Sequence, residues 1–150
     1  MEAHIWKIEW NDRLSIGIPE IDVDHKRFIS LVNEFNRSIA GRMDLSEIKK
    51  RLQPILDDAV QHFAHEERLF KQWNYPDVED HERKHAEIIA TLQTIIKQLN
   101  GYELMPQWIE AGLAIKDVLI THILTEDMKY AEFYRNSPEL HQQQLRHGPW

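Results

Sequence analysis

Four stretches of this chain place apolar side chains in alternating steps of three and four, and histidine interrupts every one of the four stripes. The first stripe carries His25, Phe28, Val32, Phe35 and Ile39. The second runs Ile48, Leu52, Ile55, Ala59, His62, Glu66, Leu69 and Trp73, and the third His81, His85, Ile88, Leu92, Ile95 and Leu99. Trp108, Ala111, Ile115, Val118 and His122 make the fourth. Such steps put one side-chain row on one helix face, the row that turns toward a core. No stretch alternates with the period of two that a strand requires. The expectation is an all-α chain, an up-down-up-down four-helix bundle with short connections between antiparallel neighbours.

Glycine and proline are sparse, and their positions divide the chain. An N-terminal arm is predicted over residues 1–21, with Trp6 and Trp10 as packing residues that clamp it. The first helix is predicted from Asp22, as N-cap, to Gly41. The second starts at Asp44, with Glu47 completing a capping box, and runs to Trp73 with a kink or split at Pro54. Asp77 caps the third, which ends at Asn100-Gly101, and the fourth begins at Pro106. The bundle spans 22–134, and a short Gln-rich C-terminal tail, 135–150, is expected to be peripheral. With 150 residues, of which 42% are hydrophobic, one domain over 1–150 can bury a core.

The polar members of the stripes constrain function. Burying His25, His62, Glu66, His81, His85 and His122 without partners costs roughly 1–3 kcal/mol for each group. In an up-down-up-down bundle the starts of helices one and three lie level with the ends of two and four, so all six converge. His62/Glu66 and His81/His85 are i,i+4 pairs on single faces. Asp127 follows His122 by five residues and joins them if the helix bulges there. Imidazoles with few carboxylates suit iron, zinc, copper or nickel and disfavour calcium or magnesium. Seven donors exceed the needs of one such ion. Two ions bridged by Glu66, Asp127 and an oxide or hydroxide would leave five histidines to divide three and two, with one open position.

Several motifs resemble the hemerythrin family in its bacterial branch over residues 6–134: Gly17-Ile18, Ile21-Asp22-x-Asp24-His25-Lys26, His62-Phe63-x-x-Glu66-Glu67, Tyr75-Pro76, His81-x-x-x-His85 and His122-Ile123-x-x-x-Asp127-x-x-Tyr130. That family includes myohemerythrin, an established four-helix bundle. The resemblance implies two iron ions, one held by His81, His85 and His122 and the other by His25 and His62, with Glu66 and Asp127 bridging. It implies that dioxygen binds the two-histidine iron, in a pocket bordered by Val118, Ile123 and Leu124. Where the family usually carries Trp four residues before the fourth-helix histidine, this chain has Val118, which implies a roomier pocket.

Composition narrows the function classes. A net charge of −7 opposes nucleic-acid binding, which needs clustered Lys and Arg. No apolar run approaches the roughly 20 residues that cross a bilayer. The absence of cysteine excludes disulfides and thiolate ligands. A cytoplasmic, non-enzymatic dioxygen-binding protein is expected, serving storage, sensing or delivery to an oxygen-using enzyme. The competing reading is a di-iron enzyme that handles peroxide or nitric oxide. His65 is expected to be a solvated surface histidine, Glu67 an exposed acid, and His4, His141 and His147 incidental to the site.

Overall fold

The computed structural model describes residues 6–101 and 105–141, so the expectations for His4 and His147 lie outside the described residues. Four long helices form the bundle: α1 (Pro19–Ala40), α3 (Gln53–Trp73), α4 (Val78–Leu99) and α5 (Met105–His122), with a short α2 (Leu45–Lys49) before α3. A π-helical turn, Ile123–Asp127, continues α5 directly into α6 (Met128–Arg135). The helices pack as a ring in which α1 touches α3 and α5, and α4 touches α3 and α5. No strand occurs among the described residues.

Helix α1 begins at Pro19, with Ile18 rather than Asp22 in the N-cap position. Pro19 takes the first helical position, where a missing N–H costs nothing. Asp22 lies in the first turn and accepts hydrogen bonds from Ile16 N (2.9 Å) and Ser15 Oγ (2.5 Å), fastening the incoming chain. Pro54 splits the second segment, as expected, because α3 restarts around it. Asp44 and Asp77 hold N-cap positions without side-chain cap bonds. Glu47 forms no capping box and faces Lys50 and Arg51 instead.

The fourth stripe has a different phase from the predicted one. Trp108, Gly112, Ile115, Leu119 and His122 are buried, whereas Ala111 and Val118 are only partly so. Both rows alternate steps of three and four, and Gly112, lacking a side chain, hides the true one from a hydrophobicity reading.

The buried apolar residues form two main layers along the bundle. One contains Phe28, Val32, Phe35, Ile55, Phe63, Ile88, Trp108 and Leu119. The other contains Ile18, Ile21, Leu69, Phe70, Trp73, Tyr75 and Tyr130. Along their helices His25 sits between Ile21 of the second layer and Phe28 of the first, and Glu66 between Phe63 of the first and Leu69 of the second. Trp6 packs into the first layer, and Asn33 and Asn36 tie the arm to α1 through the backbone of Ile8 and Trp6. Residues 138–141 form a last helical turn that is not peripheral: Leu140 is buried in the second layer. His141 lies against the Tyr134 ring, with Nε2 2.9 Å from the Tyr134 carbonyl oxygen.

Candidate metal centre

The helices bring all seven candidate donors to one interior patch. His25 comes from the second turn of α1, His62 and Glu66 from α3, His81 and His85 from the start of α4, and His122 from the end of α5. The π turn supplies Asp127: widening the helix to an i→i+5 repeat returns the fifth residue after His122 to the same face. Thr125 Oγ1 donates to the Thr121 carbonyl at 2.7 Å, taking up a backbone acceptor where the ordinary ladder changes. Glu66 and Asp127 have no exposed surface, and each of the five histidines is at most 6% exposed.

The donor atoms fall into two groups. Glu66, His81, His85, His122 and Asp127 form one, and His25, His62, Glu66 and Asp127 the other, so both carboxylates are shared. Within each group the candidate ligand atoms lie within 4.8 Å of one another. Asp127 divides its oxygens between the groups: Oδ2 is 3.2 Å from His25 Nε2, and Oδ1 is 3.1 Å from both His81 Nε2 and His122 Nε2. Glu66 Oε1 lies 3.4 Å from His62 Nε2 and 3.1 Å from His85 Nε2, one histidine from each group. The buried hydroxyl of Tyr130 donates to Glu66 Oε2.

These separations are short, yet the atoms do not satisfy one another. The Nε2 atoms of all five histidines, Glu66 Oε1 and both Asp127 oxygens are buried without a partner in hydrogen-bonding geometry. Leaving so many polar atoms unmet is costly, and a folded protein normally satisfies them. Cations seated between them would do so. The donor set, imidazole with two carboxylates and no sulfur, suits a borderline divalent or trivalent metal, and the buried cluster fits a metal site.

Proton affinities point the same way. Burial alone would lower the pKa of His62, but the charge of Glu66, the bond to Asp24 and the charge of Asp127 raise it to about 9. Burial works against ionisation of Asp127, yet His122, His25 and His81 hold its carboxyl well below the usual range. Burial and the neighbouring Glu66 charge push the Tyr130 phenol well above its ordinary value, so it stays a donor. Buried carboxylates therefore demand compensating positive charge, which protons supply without a metal and cations supply with one.

Beyond the donors lies a ring of contacts that the stripes do not show. Asp24 Oδ2 accepts from His62 Nδ1 at 3.0 Å and from His65 Nδ1 at 2.7 Å. His65 Nε2 donates to Glu20 Oε2 at 3.1 Å, so His65 is a half-buried link between two acids of α1 rather than a solvated residue. The spacing of Glu20 and Asp24, one helical turn apart beside His25, was the available signal. Glu67 is partly buried, 3.7 Å from His85 Nδ1 and beyond hydrogen-bond range. Phe63 stacks on the His85 ring with centroids 3.9 Å apart.

A small cavity of about 20 Å³ is lined by both histidines of the two-histidine group together with His122. Asp127 completes the polar part of the lining, and Phe28, Ala59, Phe63, Leu119 and Ile123 supply the apolar part. Of Val118, Ile123 and Leu124, expected to border a ligand pocket, Ile123 lines this cavity. Leu119 takes the place expected for Val118, which packs partly buried against the first apolar layer. Leu124 is 40% exposed, because the π turn directs Ile123 and Asp127 inward and the residues between them toward solvent. A larger surface groove of about 630 Å³, between Asp12–Gly17 and α6, shares no residue with the histidine cluster.

Comparison with known proteins follows the same outline. The Hemerythrin HHE cation binding domain matches residues 16–134. A bacteriohemerythrin of Stenotrophomonas maltophilia is 31% identical over 131 residues, covering 82% of this chain and 78% of the relative. A hemerythrin-like protein of Naegleria gruberi is 29% identical, covering 81% and 88%. A myohemerythrin of Theromyzon tessulatum is 23% identical, covering 81% and 89%.

Proposed function

The chain belongs to the hemerythrin family, and from that premise we propose that it is a non-haem di-iron protein that binds dioxygen reversibly, a binding protein rather than an enzyme. The observation that carries the reading is the division of seven buried donors into a three-histidine and a two-histidine group sharing Glu66 and Asp127. In this reading His81, His85 and His122 hold one iron, His25 and His62 the other, and the two carboxylates bridge. The bound iron pair, with an oxide or hydroxide bridge, would supply the two electrons that dioxygen takes up.

The remaining chemistry belongs to the chain. The two-histidine group offers fewer protein donors than its neighbour, and the small cavity lies against it. That cavity exceeds the roughly 10–15 Å³ that one water-sized probe needs, so it has room for a molecule of that size. Phe28, Phe63, Leu119 and Ile123 keep part of its lining apolar, and an apolar lining disfavours entry of water beside the candidate donors. Tyr130 holds one oxygen of Glu66 and thereby fixes the bridge's orientation. Storage, sensing and delivery to an oxygen-using enzyme are all uses of such a site.

The test is one cycle of oxygenation and degassing of the fully reduced protein, followed optically. The reading expects an oxygen-dependent absorption band that persists in air and disappears on degassing, with the reduced spectrum restored. Immediate conversion to a ferric spectrum that degassing does not reverse would reject reversible binding and favour an enzyme acting on peroxide or nitric oxide.

A further inference from the structure

The two halves of the centre are supported unequally. Among the five histidines, His62 alone has its outer ring nitrogen within hydrogen-bonding distance of a carboxylate, Asp24 Oδ2 at 3.0 Å. His25, the other histidine of that half, has no hydrogen-bond partner on its outer nitrogen among the described residues, and His85 has Glu67 only at 3.7 Å. Asp24 is itself held on both oxygens. His65 donates to Oδ2 at 2.7 Å while bonding Glu20 through its other nitrogen. Arg27 Nη2 donates to Oδ1 at 3.3 Å, and its Nε is fixed by Asp58 at 2.7 Å. Asp24 is buried, and the network ties α1 to α3 at the level of the candidate centre.

A carboxylate on Nδ1 fixes an imidazole in the tautomer whose free lone pair is on Nε2, and fixes the plane of the ring. His62 Nε2 is the nitrogen that faces Glu66. We propose that Asp24, braced by His65 and Arg27, is the positioning residue of the two-histidine half and sets how tightly that half retains its metal. This inference rests on the paired-metal reading. It adds a division of labour: the three-histidine half depends on ligand number, and the two-histidine half, short of one ligand, depends on the rigidity of His62.

Anaerobic titration of metal-free protein with cobalt(II), whose absorption reports each coordination step, tests this. Wild-type protein should take up two ions per chain in two resolvable steps. Asp24→Ala should weaken one step roughly ten- to a hundredfold, the usual cost of losing such a partner, and leave the other within about twofold. The weakened step should be the one that His25→Ala abolishes, and His85→Ala should affect the other. Asp24→Asn should recover most of the loss, because its amide oxygen still accepts from His62 Nδ1. His65→Ala should weaken the same step by a smaller factor. Equal weakening of both steps, no weakening, or an Asp24→Asn protein as defective as Asp24→Ala would overturn the positioning role. If metal-free Asp24→Ala fails to fold by circular dichroism, Asp24→Asn and His65→Ala decide: a loss in His65→Ala confined to the His25 step, with Asp24→Asn near wild type, supports the role. Uptake of a single ion by wild-type protein would instead bring down the paired-metal reading, and this inference with it.

Discussion

Glu66 and Asp127 differ from the histidines in touching donors of both groups. Removing either should therefore disturb two ions, whereas removing His25 should disturb one. Glu66→Ala and Asp127→Ala are expected to purify with far less than one iron per chain, and His25→Ala with about one, since metal affinity follows the remaining donors. Iron analysis of the three folded variants checks this, and equal losses would show that the carboxylates do not bridge. Leu119 and Val118 give a second contrast. Leu119→Ala extends the cavity beside His25 and His62, so azide should enter the ferric protein faster, at a cost of roughly 2–5 kcal/mol in stability. Val118→Trp, one residue away but outside the lining, should leave the azide rate unchanged if the larger ring is accommodated. Stopped-flow mixing with azide separates them: a slowed Val118→Trp would return Val118 to the pocket wall. The residue-scale contacts least visible in the sequence are those between helices. Asp24 and His65 are separated by 41 residues and Tyr130 and Glu66 by 64, and neither pair lies on one helix face.

At the scale of elements, the entry to α1 rests on one backbone conformation. Gly17 has φ +77°, and a Cβ there would meet nothing within 4 Å, so a side chain has space but not the dihedral angle. Gly17→Ala should therefore cost about 1–2 kcal/mol, the ordinary penalty for a left-handed alanine. A lowered denaturation midpoint with an unchanged slope would show it. No loss of stability would mean that the turn relaxes. The four long helices were legible because their stripes repeat over several turns. Their edges were less so, for Asp22 and Pro19 are both good start signals and only packing chooses between them. The π turn was visible only as an anomaly, an acid five residues after His122 that ideal geometry would leave off the face. The stripe of α5 runs through Gly112 and Leu119 rather than Ala111 and Val118, because Gly112 contributes no apolar signal; the expectation that Val118 borders the pocket came separately, from the family resemblance.

At the scale of the whole molecule, the bundle is a container with a polar layer between two apolar ones. No helix among the described residues is long and apolar enough to cross a membrane. The apolar layers fix the helices in place. The polar layer leaves buried nitrogens and oxygens to be satisfied, so a metal bound there would be linked to folding. The seven donor positions could be read from the sequence because burial penalises histidine and carboxylate in a stripe unless they share a purpose. Their division into a three-histidine and a two-histidine group came from the family resemblance, because spacing alone does not say which oxygen of Asp127 faces which helix. The central claim is that this layer holds a pair of irons, and the most direct test is the iron content of protein purified from iron-replete cells, counted per folded chain. Two irons per chain is the expected result; one iron, or zinc at full occupancy, would contradict it.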